Sequence, residues 1–172
     1  MSNQIIVKLK DDESYEHIIK DIINDDDFNK LCEIKHHEAT NRYTHSLRVS
    51  YYSYIIAKKL NLDYFTAARS GLLHDFYYEN PSDQDSIKEK SYLMLSGHAK
   101  IAALNAKNKF AISVKEEDAI RSHMFPFSKI PKYKESWIVM LADKYASAGE
   151  FSHRCNYACM FALVLLLNWF YQ

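Results

Sequence analysis

Glycine and proline are scarce, with three of each in 172 residues. So few turn-formers disfavour a many-stranded fold, whose strands need frequent tight turns, and point to a mostly helical chain. Cysteine is also sparse, and its count of three is odd. Cys32 stands alone, while Cys155 and Cys159 are spaced to share one helix face. Neither a disulfide framework nor a thiolate metal site follows, and buried reduced thiols in a cytoplasmic setting are the expectation. Net charge is absent too, because 22 Lys+Arg balance 22 Asp+Glu. A neutral chain lacks the basic surface that binding a nucleic acid polymer requires. A small phosphorylated substrate remains compatible, since one site can be positive on a neutral protein. The N-terminal residues lack the apolar core of a signal peptide. The apolar run 160–167, bracketed by Asn156 and Asn168, falls short of the ~20 residues of a membrane span. It reads as a C-terminal helix (151–172) packed on the same domain, or as a homodimer interface.

What the chain does have is helical periodicity. At 172 residues it fits one domain. Residues 5–7 (Ile5-Ile6-Val7) form a short arm or strand. Ser14 is placed to cap a helix over 15–24, with Ile18, Ile19, Ile22 and Ile23 on one face. Asp25-Asp26-Asp27 reads as a turn and helix start, because a calcium loop would need spaced oxygens and a glycine. A further short helix covers 28–34. These elements make up an N-terminal helical extension, 1–39. Thr40 or Asn41 caps a helix running to about Leu60, with His45, Val49, Tyr52, Ile56 and Leu60 as its inward stripe. Asp63 caps the next, with Phe65, Ala67, Ala68 and Leu72 facing in. Residues 77–90 are a polar loop, a connection or a lid. Helices follow from Ser96-Gly97-His98 to about Phe110, and from the capping box Ser113-Val114-Lys115-Glu116 to His123, with Val114, Ala119 and Ile120 as its apolar residues. A last one, near 135–148, is largely apolar yet contains Asp143. Together, residues 40–150 make an all-α bundle.

Histidine and aspartate are placed in register with those helices. His45, the adjacent pair His74-Asp75, His98, His123 and Asp143 are separated by steps of 29, 24, 25 and 20 residues. Each step is about one helix and a connection, so several helices can each bring one ligand to a shared centre. His36-His37, by contrast, would splay about 100° apart on a helix and has no matching partner. Imidazole with carboxylate suits a divalent metal: iron first, with Mn, Co, Ni or Zn as alternatives. The lack of thiolates argues against structural zinc. Six donors, His45, His74, Asp75, His98, His123 and Asp143, are enough for two ions with Asp75 bridging. Metal-activated hydroxide would then be the nucleophile, and the paired ions would clamp a phosphoryl group. Arg48, Lys100, Arg121 and Lys144 lie near these ligands in sequence and are candidate phosphate contacts. Arg48 and Lys144 are also candidates for a catalytic role beside His74 and Asp75.

The order His, His-Asp, distant Asp resembles the HD-domain superfamily, and His98 and His123 resemble the extra histidines of its two-metal branches. The flanks are similar as well: His45-Ser46-Leu47-Arg48-Val49, Gly71-Leu72-Leu73-His74-Asp75 and Leu141-Ala142-Asp143-Lys144. The resemblance covers about 40–150. Together with Ala119-Ile120-Arg121-Ser122-His123, it extends to bacterial HD hydrolases that cleave dinucleoside tetraphosphates symmetrically. It implies an all-α HD bundle with a core metal site, hydrolysing a phosphoanhydride or phosphoester of a small nucleotide. The chain departs from that branch at Phe76-Tyr77-Tyr78 and at Met124-Phe125-Pro126-Phe127, and the substrate depends on these aromatic stretches. Two other readings carry the same ligand types: an HD-type di-iron oxygenase and a non-catalytic nucleotide-binding HD module.

Overall fold

The structure, a computed structural model, describes residues 12–36, 40–78 and 96–151. The expected arm at 5–7, most of the expected loop at 77–90, and the C-terminal stretch with Cys155, Cys159 and the 160–167 run lie outside those residues. The described part is an all-α bundle apart from one two-residue antiparallel pair. Its order is α1 (Glu13–Ile23), α2 (Asp26–Asn29), a 3-10 turn (Lys30–Glu33), β1 (Lys35–His36), β2 (Thr40–Asn41), α3 (Arg42–Lys59), α4 (Tyr64–Leu73), α5 (His98–Phe110), α6 (Val114–Ser122) and α7 (Lys134–Phe151). Among the described residues no helix is long and apolar enough to cross a membrane.

Most helix starts are set by side chains that satisfy backbone N–H groups left over in the first turn. Asn41 accepts from the Thr44 amide at 2.8 Å and Asp63 from the Thr66 amide at 3.0 Å. Asp25 accepts from the amides of Asp27 and Phe28, which explains the acidic run as a helix start. Ser113 and Glu116 form the reciprocal capping box. The first helix starts earlier than expected. Its cap is Asp12, whose carboxylate accepts from the Tyr15 amide at 3.2 Å, and Ser14 is an exposed residue within the first turn.

α3 and α4 are the central pair. The buried face of α3 is wider than its apolar stripe: besides His45, Val49 and Ile56 it includes Ser46, Ser50, Ser53 and Ala57. This small-residue row lets α4 come close, and a Cβ on Gly71 would lie 2.8 Å from the Ser50 Cα. Ser50 satisfies its own hydroxyl within the contact, donating to the Ala68 carbonyl at 2.7 Å and accepting from the Tyr15 hydroxyl at 2.9 Å. Residues of α1 and α2, among them Tyr15, Ile18, Ile22 and Phe28, share one core cluster with Leu72, Leu73 and Phe76.

Three further sequence expectations are corrected. Phe65 does not face in. It is 50% exposed, and its ring instead carries the Arg69 guanidinium at 5.5 Å from the centroid. Cys32, expected to be buried, sits exposed in the 3-10 turn. Phe76 is not available to a substrate: it is a core residue packed against Phe28 and Phe110.

Candidate metal centre

Five helices converge on one buried point. His45 projects from the second turn of α3. His74 closes α4, and Asp75 follows it. His98 is the first residue of α5, His123 closes α6, and Asp143 lies midway along α7. All six are buried, and His45 and His74 are fully so.

His74 and His123 are held by the same device. Each caps the C-terminal end of its helix and turns Nδ1 back to the carbonyl three residues earlier, Gly71 or Ile120, at 2.8 Å in both cases. Those carbonyls belong to the last turn and have no helical partner. A carbonyl can only accept, so Nδ1 carries the hydrogen and Nε2 faces the centre. Metal-binding histidines are commonly oriented by this kind of outer hydrogen bond.

The inward atoms fall into two overlapping groups. Nε2 of His45 is 3.1 Å from Asp143 Oδ1, and Nε2 of His74 is 3.6 Å from the same oxygen. On the other side, Asp75 Oδ1 lies 3.6 Å from His98 Nε2 and 3.7 Å from His123 Nε2. The second Asp75 oxygen, Oδ2, lies 3.7 Å from His74 Nε2. Asp75 therefore turns one oxygen to each half. Two sets have ligand atoms close enough to hold an ion together: His45, His74 and Asp143, and His74, Asp75 and His123.

Electrostatics keeps the carboxylates charged despite burial. Desolvation opposes ionisation of Asp75, but His74, His98, His123 and His45 outweigh it and lower its pKa. Asp143 is likewise held well below the usual carboxylate value, against its burial, by His45 and His74. Burial pulls His123 down to about 4, with a smaller push from His74, so its Nε2 offers a lone pair at neutral pH. For His74, burial favours the neutral ring, yet Asp75 and Asp143 outweigh it and raise its pKa.

The donor set fits a divalent metal on two counts. Nε2 of His74 and Oδ1 of Asp75 are fully buried and have no hydrogen-bond partner. An unmatched buried polar atom is costly, and both of these point at the shared centre. Nε2 of His98 and Nε2 of His123 also face each other at 3.0 Å. Two imidazole nitrogens meet that closely only if one gives the other a hydrogen or both share a cation.

The four cationic candidates from the sequence sit differently. Arg48 is half-buried and follows His45 by three residues, so it shares that face of α3. Lys100, Arg121 and Lys144 are exposed. Lys100 and Arg121 each lie two positions from a ligand, which turns them about 200° away from it. Arg121 forms a surface ion pair with Glu117 at 3.3 Å. Of the aromatic stretches, Tyr77 packs on the His98 ring, Tyr78 donates its hydroxyl to the Asp27 carbonyl, Phe125 packs edge-on to Trp137, and Phe127 is exposed.

Sequence reasoning missed Arg42, Arg69 and Asp118, which are buried charged residues around the bundle. Nothing in their spacing sets them apart from surface charges.

Residues 42–148 match the family model of the HD domain. No curated protein and no solved structure matches the chain. The HD domain is an all-α bundle that binds divalent metals and is typical of metal-dependent phosphohydrolases.

Proposed function

We propose that this chain, which belongs to the HD-domain family, is a metal-dependent phosphohydrolase that cleaves a phosphoanhydride or phosphoester of a small nucleotide. The observation that carries the proposal is the buried set of four imidazoles and two carboxylates, with two orphaned donor atoms aimed at its centre. His45, His74 and Asp143 would hold one ion, and His98 and His123 a second, with Asp75 between them. Iron is our first choice of metal. A divalent ion bound there lowers the pKa of a coordinated water and neutralises charge on phosphoryl oxygens.

The chain's own residues do the rest. Asp75 and Asp143 enter ionised, so neither carboxylate has to lose a proton to bind a cation. The Gly71 and Ile120 carbonyls fix the rings of His74 and His123, so the donor atoms are oriented before an ion arrives. Arg48, on the His45 face of α3, is our main phosphate contact. Lys100, Arg121 and Lys144 add screened attraction from solvent-facing positions. The departures at Phe76-Tyr77-Tyr78 and Met124-Phe125-Pro126-Phe127 leave Tyr77 and Phe125 as the aromatic residues nearest to a nucleobase role. A dinucleoside tetraphosphate is the first substrate to test.

The test is metal analysis of the purified protein, followed by phosphate release from a nucleotide panel that includes dinucleoside tetraphosphates. His74→Ala and Asp75→Ala are expected to lose both metal and activity. Wild-type turnover by Asp75→Ala would refute the site. Substrate-dependent oxygen uptake by the iron-loaded protein, without phosphate release, would refute the hydrolase reading.

A further inference from the structure

The segment that follows the dyad is tied down from two sides. Asn105 of α5 donates from Nδ2 to the Phe76 carbonyl at 3.1 Å. Arg42, the first residue of α3, grips Tyr77 in three ways. Its Nη1 donates to the Tyr77 carbonyl at 2.8 Å and its Nη2 to the Tyr77 hydroxyl at 2.8 Å. Its guanidinium carbon lies 3.9 Å from the centre of the tyrosine ring. The Tyr77 amide in turn donates to the Asp75 carbonyl at 2.8 Å. Arg42 is only 3% exposed, so it is not an ordinary surface cation.

The ring held this way lies against the centre. Tyr77 and His98 have centroids 5.2 Å apart and planes tilted by 32°, within the range of a favourable ring contact. His98 is the first residue of its helix and does not share the helix-end geometry that fixes His74 and His123. Two neighbouring rings pack against its imidazole. On one side is His123, with centroids 5.0 Å apart, and on another is Tyr77.

We propose that Arg42 and Tyr77 are positioning residues for the His98 half of the centre: Arg42 locks Tyr77, and the tyrosine ring sets the orientation of the His98 imidazole. The inference rests on the two-ion reading above. It divides the centre, because Tyr77 packs directly on His98, whereas the His45 ring packs on His74. Loss of the tyrosine ring should weaken one ion and spare the other.

The experiment titrates metal-free full-length protein with Mn2+, following the second equivalent by calorimetry and the spin-coupled pair by electron paramagnetic resonance. Tyr77→Leu should bind the first ion as wild type does. It should bind the second ~10–100-fold more weakly, the range typical for lost outer-shell support. The coupled signal should give way to that of isolated Mn2+. Tyr77→Phe keeps the ring and should stay within a few-fold of wild type. Arg42→Gln should follow Tyr77→Leu, and it carries the test if Tyr77→Leu does not fold. A folded Tyr77→Leu or Arg42→Gln with unchanged affinity for the second ion overturns the inference. Equal weakening of both ions also overturns it, since that marks general loosening. If wild type binds one ion only, the two-ion reading fails and the positioning role falls with it.

Discussion

Gly71 shows how one residue serves both packing and site. A Cβ there would meet the Ser50 Cα at 2.8 Å, and the Ser50 nitrogen and Val49 carbonyl oxygen at 3.0 Å, all backbone atoms that cannot step aside. Its carbonyl also orients His74. Gly71→Ala should therefore push α4 from α3 and cost about 1–3 kcal/mol, read as a lower urea midpoint with unchanged slope. Metal affinity should fall with it, because His45 and His74 lie on the two helices being separated. A variant of wild-type stability would show that the helices part freely here. The motif Gly71-Leu72-Leu73-His74-Asp75 was visible as a string, but the reason for its glycine was not, since the space it opens is defined by Ser50, 21 residues earlier. The ligand candidates were legible for the opposite reason: their regular steps survive in one dimension. Phe76 was misleading because an aromatic residue beside the dyad looks the same in sequence whether it lines a pocket or fills the core.

At the scale of elements, two buried charges act as staples. Arg69 of α4 donates to Glu116 at 3.1 Å on α6, and to Asp21 at 2.6 Å and the Ile18 carbonyl at 3.2 Å on α1. Arg69→Met would strand the buried Glu116 carboxylate and should cost about 3 kcal/mol or more. Pairing it with Glu116→Gln should recover part of that loss in a double-mutant cycle. Full additivity of the two changes would mean the pair is not coupled. Asp118 of α6 anchors the approach to α7, accepting from Lys129 Nζ at 2.6 Å, the Lys132 amide at 2.9 Å and the Ser136 hydroxyl at 2.8 Å. Burial opposes its ionisation, but those donors outweigh it and lower its pKa. A depressed folded-state pKa contributes stability above the unfolded value of ~4, and that contribution is lost as pH falls through the folded value. The stability gap between wild type and Asp118→Asn should accordingly be full at neutral pH and shrink below about pH 4. A gap constant down to pH 2 would refute the assignment. Neither staple was legible in sequence, where both residues look like solvated helix charges. The α3–α4 contact was hidden similarly: Ser46, Ser50 and Ser53 read as polar, yet small size rather than polarity decides that face.

For the whole molecule, the position of the centre has a thermodynamic consequence. The six candidate ligands come from α3, α5 and α7 and from the C-terminal ends of α4 and α6, so an ion held by them ties together helices that are distant in sequence. The unfolded chain cannot present these donors together, so metal binding is linked to folding. At a free metal concentration ~100 times the dissociation constant, the native state gains about 2.7 kcal/mol. For a chain of this length that corresponds to a rise in Tm of about 5–11 °C. Chelation should lower Tm by that amount, and re-addition of Fe2+ or Mn2+ should restore it. His74→Ala, which removes the ligand common to both candidate sets, should show almost no metal-dependent shift. Asp118→Asn, lying outside the centre, should keep the full shift on a lower baseline. That contrast separates loss of the metal site from loss of stability in general. Equal melting with and without metal in wild type would mean that the convergent histidines and aspartates are a packed polar core and not a binding site.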